Sequence, residues 1–251
     1  MNKKNRIALI TGGSQGIGRQ ISVDLAKEGY TVIIVNNSNL KNAKKVVDEI
    51  KSFGGEVFSF RCNLEKISEI ELLVKKVNRR IGVVDILVNN AAVFNPKPIE
   101  LITEKDWDKE ININLKACFF LIKALVPYMK KQEWGKIINI SSIAGIGGFP
   151  NSSPYCASKG GINNMTKALC LELSKFGINL NVIAPGNIKT PMNSKLRADT
   201  EWCEQIKQRT PTGDDFLNPK EISGAVKFLI SDASKYIHGI ILPVDAGWRA
   251  W

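Results

Sequence analysis

The sequence has few of the residues that build metal centres and disulfide frameworks. It holds one histidine, His238, and five cysteines, an odd number with no Cys-x-x-Cys pair. Zinc sites need Cys or His ligands at short spacing and disulfide frameworks need paired cysteines, so no metal site and no disulfide is predicted. No apolar run approaches the roughly 20 residues of a membrane span. Residues 1–6 leave no room for a secretory signal, so we expect a cytoplasmic protein with no membrane contact.

Acidic residues are fewer than basic residues in this sequence. The chain has 24 Asp and Glu against 35 Lys and Arg, a net charge of +11. This excess favours an acidic partner, such as a phosphorylated cofactor, an acidic carrier protein or nucleic acid. The lysines occur in short doublets such as Lys44-Lys45 and Lys75-Lys76 rather than in blocks. That pattern is typical of solvated helix faces, and no nucleic-acid partner is predicted.

By contrast, short apolar runs are frequent and alternate with amphipathic stretches. The runs predict strands at residues 7–10, 31–35, 57–60, 85–88, 136–140, 179–183 and 239–244. The amphipathic stretches predict helices at residues 17–29, 40–53, 67–81, 103–131, 153–176 and 218–230. This alternation predicts an α/β fold with a doubly wound parallel sheet in three αβα layers, a Rossmann fold, as a single domain over residues 1–251. The polar stretch at about 188–216 is predicted to be a substrate lid.

A glycine-rich turn follows the first predicted strand and opens the first predicted helix. In this context glycines let the backbone approach a pyrophosphate, and the helix N-terminus offers free N–H groups. Dinucleotide binding is therefore predicted. The residues assigned to it are Gly12, Ser14, Gln15, Gly16, Ile17 and Gly18.

The end of the second predicted strand bears on the choice of cofactor. Its residues are neutral: Asn36, Asn37 and Ser38. An acidic residue there would accept the adenosine ribose hydroxyls and repel a 2′-phosphate, so its absence favours NADP(H). No arginine stands at the strand end, and Arg19, Lys41 and Lys44 are the candidate phosphate partners. NAD(H) therefore stays open.

The carboxyl ends of the other predicted strands fall at the same edge of the sheet, where ligands of this fold lie. An adenine edge is expected to meet the side-chain amide of Asn63 and the backbone N–H of Leu64. The loops after later strands supply the remaining predicted cofactor contacts: Asn90, Ala91, Ala92, Pro185, Gly186, Ile188 and Thr190.

Tyr155 and Lys159 are four residues apart in the predicted helix 153–176 and so share one face. The lysine charge favours the phenolate, so we expect the pKa of Tyr155 to lie below its usual value of about 10. Such a phenol is an acid/base catalyst. Ser142 stands at the carboxyl end of the fifth predicted strand, over the cofactor edge. Asn114 lies in an apolar helical stretch and needs a partner if buried.

Taken in order, these segments resemble the short-chain dehydrogenase/reductase family over essentially the whole chain. The matching segments are residues 11–18, residues 89–92, Asn114, Ser142, Tyr155-x-x-x-Lys159 and Pro185-Gly186. Two positions depart from the family pattern. Ala92 replaces a usual glycine, and residues 213–216, Gly-Asp-Asp-Phe, replace a usual Gly-Arg, which affects the expected lid conformation.

The resemblance implies hydride transfer between NAD(P)(H) and a carbonyl or secondary alcohol. It makes Tyr155 the proton donor or acceptor, and Lys159 the group that lowers its pKa and binds the nicotinamide ribose, so both also count as cofactor contacts. Ser142 would hydrogen-bond the substrate oxygen, and Asn114 would hold a water in the proton relay.

The resemblance also implies an oligomer. Family members are usually homotetramers that pair two helices, which in this sequence begin near Thr103 and Ser153. We therefore expect a homotetramer.

Three functions stay open. The neutral second strand end, Asn63-Leu64 and surface lysines that suit an acyl carrier protein favour a 3-oxoacyl-thioester reductase. These lysines are Lys130, Lys131 and Lys175. Residues 244–248 resemble the tail of sugar-acid enzymes, so a sugar or sugar-acid dehydrogenase is the alternative. A non-catalytic, cofactor-sensing interaction protein is less favoured, because a binding module has no need for all four catalytic groups.

Overall fold

The apolar runs form one parallel sheet of seven strands in a computed structural model that describes residues 6–250. The strands are β1 (Ile7–Thr11), β2 (Thr31–Asn36), β3 (Val57–Arg61), β4 (Ile86–Asn89), β5 (Gly135–Ile140), β6 (Ile178–Pro185) and β7 (Ile241–Val244). Strands β1, β2, β4, β5 and β6 are buried along their whole length, as expected when helices cover both faces. All seven predicted strands are confirmed, with ends displaced by one or two residues. Residues 1–5, on which the expectation about a secretory signal rests, lie outside the described residues.

Helices cover both faces of the sheet. Within the described residues the α-helices are α1 (Gly16–Lys27), α2 (Leu40–Ser52), α3 (Ile67–Arg80), α4 (Glu104–Ile111), α5 (Ala117–Lys131), α6 (Ser153–Leu173), α7 (Thr200–Arg209) and α8 (Pro219–Ile230). Buried residues of α1, α2 and α8 share one core cluster with the sheet, and those of α3 and α5 share a second one, against which α6 also packs. The predicted three-layer, doubly wound fold is confirmed.

The order of the strands places a crevice beside β1. The sheet runs β3-β2-β1-β4-β5-β6-β7, so the chain changes direction between β1 and β4. Connections leave toward opposite faces at such a point, which opens a crevice at the carboxyl ends of the strands. Thr11 holds the end of β1 against the loop after β4, because its Oγ1 accepts hydrogen bonds from the N–H groups of Asn90 (2.9 Å) and Ala91 (3.0 Å).

The stretch predicted as one helix over residues 103–131 is interrupted. A capping box of Thr103 and Asp106 opens α4, and a π-helical turn at Asn112–Lys116 separates α4 from α5. Such π turns are rare single turns inside α-helices, so the apolar pattern over residues 103–131 predicted one continuous helix. Pro127 does not end the helix, because α5 continues to Lys131.

The combined stretch Glu104–Lys131 is the one described helical segment that is long and apolar enough to cross a membrane by length and composition, with a mean hydropathy of 1.3 over an 18-residue window. In this fold Leu121, Leu125 and Met129 of the stretch are buried in the core cluster beside the sheet. A helix that covers a sheet needs such an apolar stripe. We interpret the stretch as part of the layer beside the sheet.

The predicted lid region is partly helical. It contains α7 and two short 3₁₀ turns, and its base is closed where the N–H of Leu217 donates to Asn187 O at 2.8 Å and the N–H of Lys189 donates to Leu217 O at 2.9 Å. Helix α7 is polar, and Ile206 is its one buried residue. The sequence therefore carried no apolar stripe that would predict it.

Replacing Thr103 with Ala should lower the free energy of unfolding by about 1 kcal/mol, because the N–H of Asp106 loses its hydroxyl acceptor. Urea unfolding followed by circular dichroism measures the change. Thr200→Ala, an exposed threonine at the start of α7, is the matched control and should change stability by less than about 0.5 kcal/mol. Equal losses in the two variants would contradict the capping role.

Candidate active site

The glycine-rich turn between β1 and α1 forms a cradle that side chains would fill. Gly12 (φ +64°) and Gly16 (φ +51°) adopt left-handed backbone conformations, and a Cβ on Gly18 would overlap the carbonyl oxygen of Gly12. No side chain caps the N-terminus of α1, whose preceding residue is Gln15. Free N–H groups and the positive end of the helix dipole therefore lie at the cradle, which suits an anion.

A cleft of about 600 Å³ runs from this cradle along the carboxyl edge of the sheet. Every predicted cofactor or catalytic residue lines it, with two exceptions. Gly18 packs against Gly12 underneath the cradle, and Asn114 is fully buried behind the wall. The fold thus brings the glycine turn, the loops after the strands and Tyr155 into one site.

The end of the cleft beside β2 and β3 is lined by neutral polar groups and one carboxylate. Asn36 is buried, and its Nδ2 donates to Ser59 Oγ at 3.1 Å. Arg19, one candidate phosphate partner, is instead paired with Glu49 at 2.6 Å. The other candidates, Lys41 and Lys44, also lie away from the cleft lining, while Glu65 is part of it. The structure therefore brings none of the three candidate cations to this end.

Tyr155 and Lys159 lie one turn apart on α6, as the spacing predicts. The Lys159 side chain is buried, with 2% exposure, and its Nζ donates to Ile140 O at 2.9 Å. The same Nζ lies 5.5 Å from the centroid of the Tyr155 ring. The ring of Phe94 also packs against Tyr155, with 4.8 Å between centroids. The phenol is thus held by contacts with a buried cation and an aromatic ring.

Burial dominates the proton affinities of this pair. It raises the pKa of Tyr155 to about 12, although the Ser142 hydroxyl lowers it, and it lowers the pKa of Lys159 to about 8. The prediction that the pKa of Tyr155 lies below its ordinary value is therefore wrong for this structure, because desolvation of the phenolate outweighs the effects that lower the pKa. At neutral pH the phenol is protonated and most of the lysine is charged, which suits a proton donor.

Ser142 lies two residues after β5 and caps the start of a short 3₁₀ turn, Ile143–Gly145. Its Oγ accepts the N–H of Ala144 at 3.1 Å, which leaves the hydroxyl proton for another acceptor. A Cβ on Gly145 would lie 2.7 Å from the backbone of Lys159, so the turn can pack this closely on α6 because residue 145 has no side chain. This packing brings Ser142 to the same wall as Tyr155.

Asn114 lies in the π-helical turn and ties two loops together. Its Oδ1 accepts the N–H of Val93 at 2.8 Å, and its Nδ2 donates to Val93 O (2.9 Å) and to Ser158 Oγ (3.2 Å). Both amide protons are therefore occupied. A relay water, the role implied by the family resemblance, would have to bind a lone pair of Oδ1 or the backbone carbonyl.

The site residues predicted from the sequence include none of the large apolar side chains that form an apolar wall of the cleft. The wall consists of Phe94, which packs on Tyr155, Ile143, which follows Ser142, and Phe149, Met192, Leu196 and Trp202. Trp202 is itself packed on Phe216, with 6.0 Å between ring centroids. These residues come from separate loops and the lid, so no periodicity connects them. The available signal was the presence of large apolar side chains in otherwise polar loops.

The residues present fit a dinucleotide cofactor, since a cradle free of side chains and an uncapped helix end open into a long cleft that reaches Tyr155. A family model described as short chain dehydrogenase matches residues 6–201. The chain belongs to the short-chain dehydrogenase/reductase family. It is an oxidoreductase of that family, as the sequence resemblance indicated.

Similar proteins span essentially the whole chain. The 3-oxoacyl-[acyl-carrier-protein] reductase of Thermotoga maritima is 38% identical over 247 residues, which cover 98% of this chain and 99% of the relative. The 2-dehydro-3-deoxy-D-gluconate 5-dehydrogenase of Dickeya dadantii is 35% identical and covers 99% of this chain and 97% of its own. A putative NAD(P)-dependent gluconate 5-dehydrogenase from Beutenbergia cavernae, solved with bound NADP at low occupancy, superposes with a TM-score of 0.94 at 32% identity, covering 99% of this chain and 98% of its own.

Tyr155→Phe should lower kcat for carbonyl reduction by a factor of about 10²–10⁴, because the ring stays in place while the proton donor is lost. Binding of NADPH, followed by its fluorescence, should be retained. Tyr128→Phe, at an exposed tyrosine on α5, is the matched control and should behave as wild type. A Tyr155→Phe enzyme with near-normal kcat would refute the assignment.

Proposed function

We propose that the protein is an NADP(H)-dependent carbonyl reductase whose substrate is a 3-oxoacyl thioester. The observation that carries this proposal is the apolar wall near Ser142 and Tyr155, formed by aromatic and aliphatic side chains from the loops and the lid. Lys109 and Lys159 are the cations among the described residues that line the cleft. Lys159 is bonded to Ile140 O, and Lys109 shares a surface hollow with Glu65, beside the β3 end. A carboxylate substrate would therefore find no free cation beside Ser142 and Tyr155, whereas an acyl chain suits this wall.

The protein groups divide the work of carbonyl reduction. The bound nicotinamide supplies the hydride. Ser142 has a hydroxyl proton to offer the carbonyl oxygen, and Tyr155 is a protonated phenol that gives its proton to the same oxygen as charge develops there. Lys159 stabilises the phenolate left behind, since its ammonium lies near the ring and cannot move to solvent. The residues of the apolar wall exclude water from this exchange.

The cofactor proposal is NADP(H), with NAD(H) as the alternative. Asn37, Ser38 and Asn63 line the β2 and β3 ends of the cleft with amide and hydroxyl groups, and no carboxylate stands at the end of β2. Neutral donors accommodate a 2′-phosphate without requiring it. The solved Beutenbergia cavernae relative holds NADP, which supports the same choice.

A sugar or sugar-acid dehydrogenase is the second candidate. It is favoured by polar groups that the cleft also contains, namely Ser152, Asn187 and Asn193, and by the Dickeya dadantii relative. A non-catalytic, cofactor-sensing protein is the third. The shared wall of Ser142, Tyr155 and buried Lys159 argues against it, because burying a lysine charge costs stability without serving a binding module.

An acyl carrier protein is the proposed macromolecular partner. Lys130 and Lys175 both lie over the ring of Phe176, at 4.3 and 5.3 Å from its centroid, and form a basic patch with Lys131. The 21 residues of α6, which span about 30 Å, separate this patch from the turn that carries Tyr155. An acyl carrier protein docked on this patch would therefore have to deliver its acyl group to the cleft of a neighbouring subunit.

We propose a cytoplasmic homotetramer, in which helices α4, α5 and α6 form contacts between subunits. Each of these helices exposes a large apolar side chain: Trp107 on α4, Phe119 on α5 and Leu171, 84% exposed, on α6. Apolar groups of this size on adjacent helices suit a protein interface better than water.

The substrate proposal predicts a higher kcat/KM for acetoacetyl thioesters with NADPH than for keto-sugar acids with either cofactor, by about tenfold or more, equivalent to about 1.4 kcal/mol of transition-state binding. Parallel assays of NADPH and NADH oxidation measure it, with Tyr155→Phe as the blank. A preference for keto-sugar acids would favour the second candidate, and no turnover of any carbonyl would favour the third.

The oligomer proposal predicts that Leu171→Glu weakens assembly, because it places a charge at an apolar contact. Light scattering should give a tetramer mass for the wild type and a smaller mass for the variant. The matched control is Tyr236→Glu, an equally exposed residue outside the three helices, which should keep the wild-type mass. A monomeric wild type would contradict the proposal.

A further inference from the structure

Three side chains, from α4 and the π-helical turn, hold the segment of residues 93–97 beside the active site. Asp106, Glu110 and Asn114 are spaced by four residues and face one way. Asn114 binds the backbone N–H and C=O of residue 93, Glu110 Oε1 accepts the N–H of residue 95 at 2.8 Å, and Asp106 Oδ2 accepts the Nζ of residue 97 at 2.8 Å. Alternate residues of the segment are therefore fixed to one helical face.

The segment matters because Phe94 belongs to it. The Phe94 ring contacts Tyr155 and lines the cleft. At its far end, the N–H of Lys97 donates to Asn151 O at 2.8 Å, just before α6. Any loosening of the segment would free the Phe94 ring that packs against the proton donor.

Glu110 differs from the other two members because its charge is buried. The residue is 3% exposed, and its Oε2 has no hydrogen-bond partner among the described residues. An amide would make the same bond to Asn95 without the cost of burying a charge. Burial raises the pKa of Glu110, and the Lys159 charge acts against this rise. The ammonium of Lys159 therefore offsets part of the cost of burying the carboxylate.

We propose that Glu110 is a positioning residue of this active site, whose carboxylate holds the 93–97 segment through the N–H of Asn95 and serves as the buried counter-charge of the Lys159 ammonium. This role rests on the proposed carbonyl reduction. It goes beyond that proposal by adding a residue that touches neither substrate nor cofactor and acts through Phe94, Tyr155 and Lys159.

The direction of its electrostatic effect follows from the sign of the charge. Negative charge at Glu110 raises the pKa of both Tyr155 and Lys159. Removing it lowers both pKa values, whichever group limits the rate. The charged or titratable groups around this pair are Asp106 on α4, Lys97 on the segment, Cys118 on α5 and Cys156 on α6. They stay in place when Glu110 is changed.

Glu110→Gln keeps the acceptor for Asn95 and removes the charge. We expect the alkaline limb of the pH profile of kcat/KM for reduction to move to lower pH, because the proton donor is lost earlier. The acid limb of the reverse oxidation should move the same way. Asp108→Asn removes a charge from the exposed side of α4 and is the matched control, with limbs expected at wild-type positions. Unshifted limbs in Glu110→Gln would overturn the counter-charge role.

Glu110→Leu removes both the acceptor and the charge. Its kcat should fall below that of Glu110→Gln by about tenfold at every pH, since the N–H of Asn95 loses its partner and the Phe94 ring is no longer held. Equal kcat values in the two variants would overturn the holding role. Should Glu110→Gln not fold, Glu110→Asp takes its place. It keeps the charge on a shorter arm, so wild-type limbs with a lowered kcat support the proposal, and an unchanged kcat overturns it.

The wild-type enzyme separates this inference from the proposed function. A wild type that reduces no carbonyl in the substrate panel refutes the proposed function and this role together. An active wild type whose pH profile and kcat are matched by both Glu110→Gln and Glu110→Leu refutes the role of Glu110 alone. Binding of NADPH to each folded variant, measured by fluorescence, should equal that of wild type, because Glu110 does not line the cleft.

Discussion

The burial of the Lys159 ammonium is the constraint on which the rest of the site depends. An ammonium removed from water is costly unless polar groups replace its hydration. Here the carbonyl of Ile140, at the end of β5, accepts a hydrogen bond from this ammonium and replaces part of its hydration. This requirement explains why α6 packs on the turn after β5, where Gly145 leaves room for the backbone of Lys159.

The position of the phenol follows from that packing. Tyr155 is one turn before Lys159, so fixing the lysine also fixes the start of α6. Ser142 arrives from the β5 turn, and Phe94 arrives on the 93–97 segment from β4. Because Asn114 bonds both Val93 and Ser158, the β4 loop and α6 cannot move independently. The wall that carries these side chains is thus built from the segments after β4 and β5 and from the start of α6, and Asn114 of the π-helical turn connects two of these parts.

The two ends of the cleft have different chemistry. Glycines and free N–H groups line the part beside β1, where backbone must come close to a ligand. Aromatic and aliphatic groups from the loops and lid line the part beside Tyr155. The lid joins this second part through Trp202 and Met192, while its base is pinned to the sheet at Leu217.

The sequence by itself determined the seven strands and most of the helices between them, the glycine turn and the Tyr155-Lys159 pair. Each is encoded in neighbouring residues, as a local period, a turn requirement or a four-residue spacing. Only the tertiary structure decided the raised pKa of Tyr155, the pairing of Arg19 with Glu49, the π turn and the buried position of Glu110. These features depend on exclusion of solvent and on contacts between residues far apart in the chain. A local sequence pattern encodes neither of them.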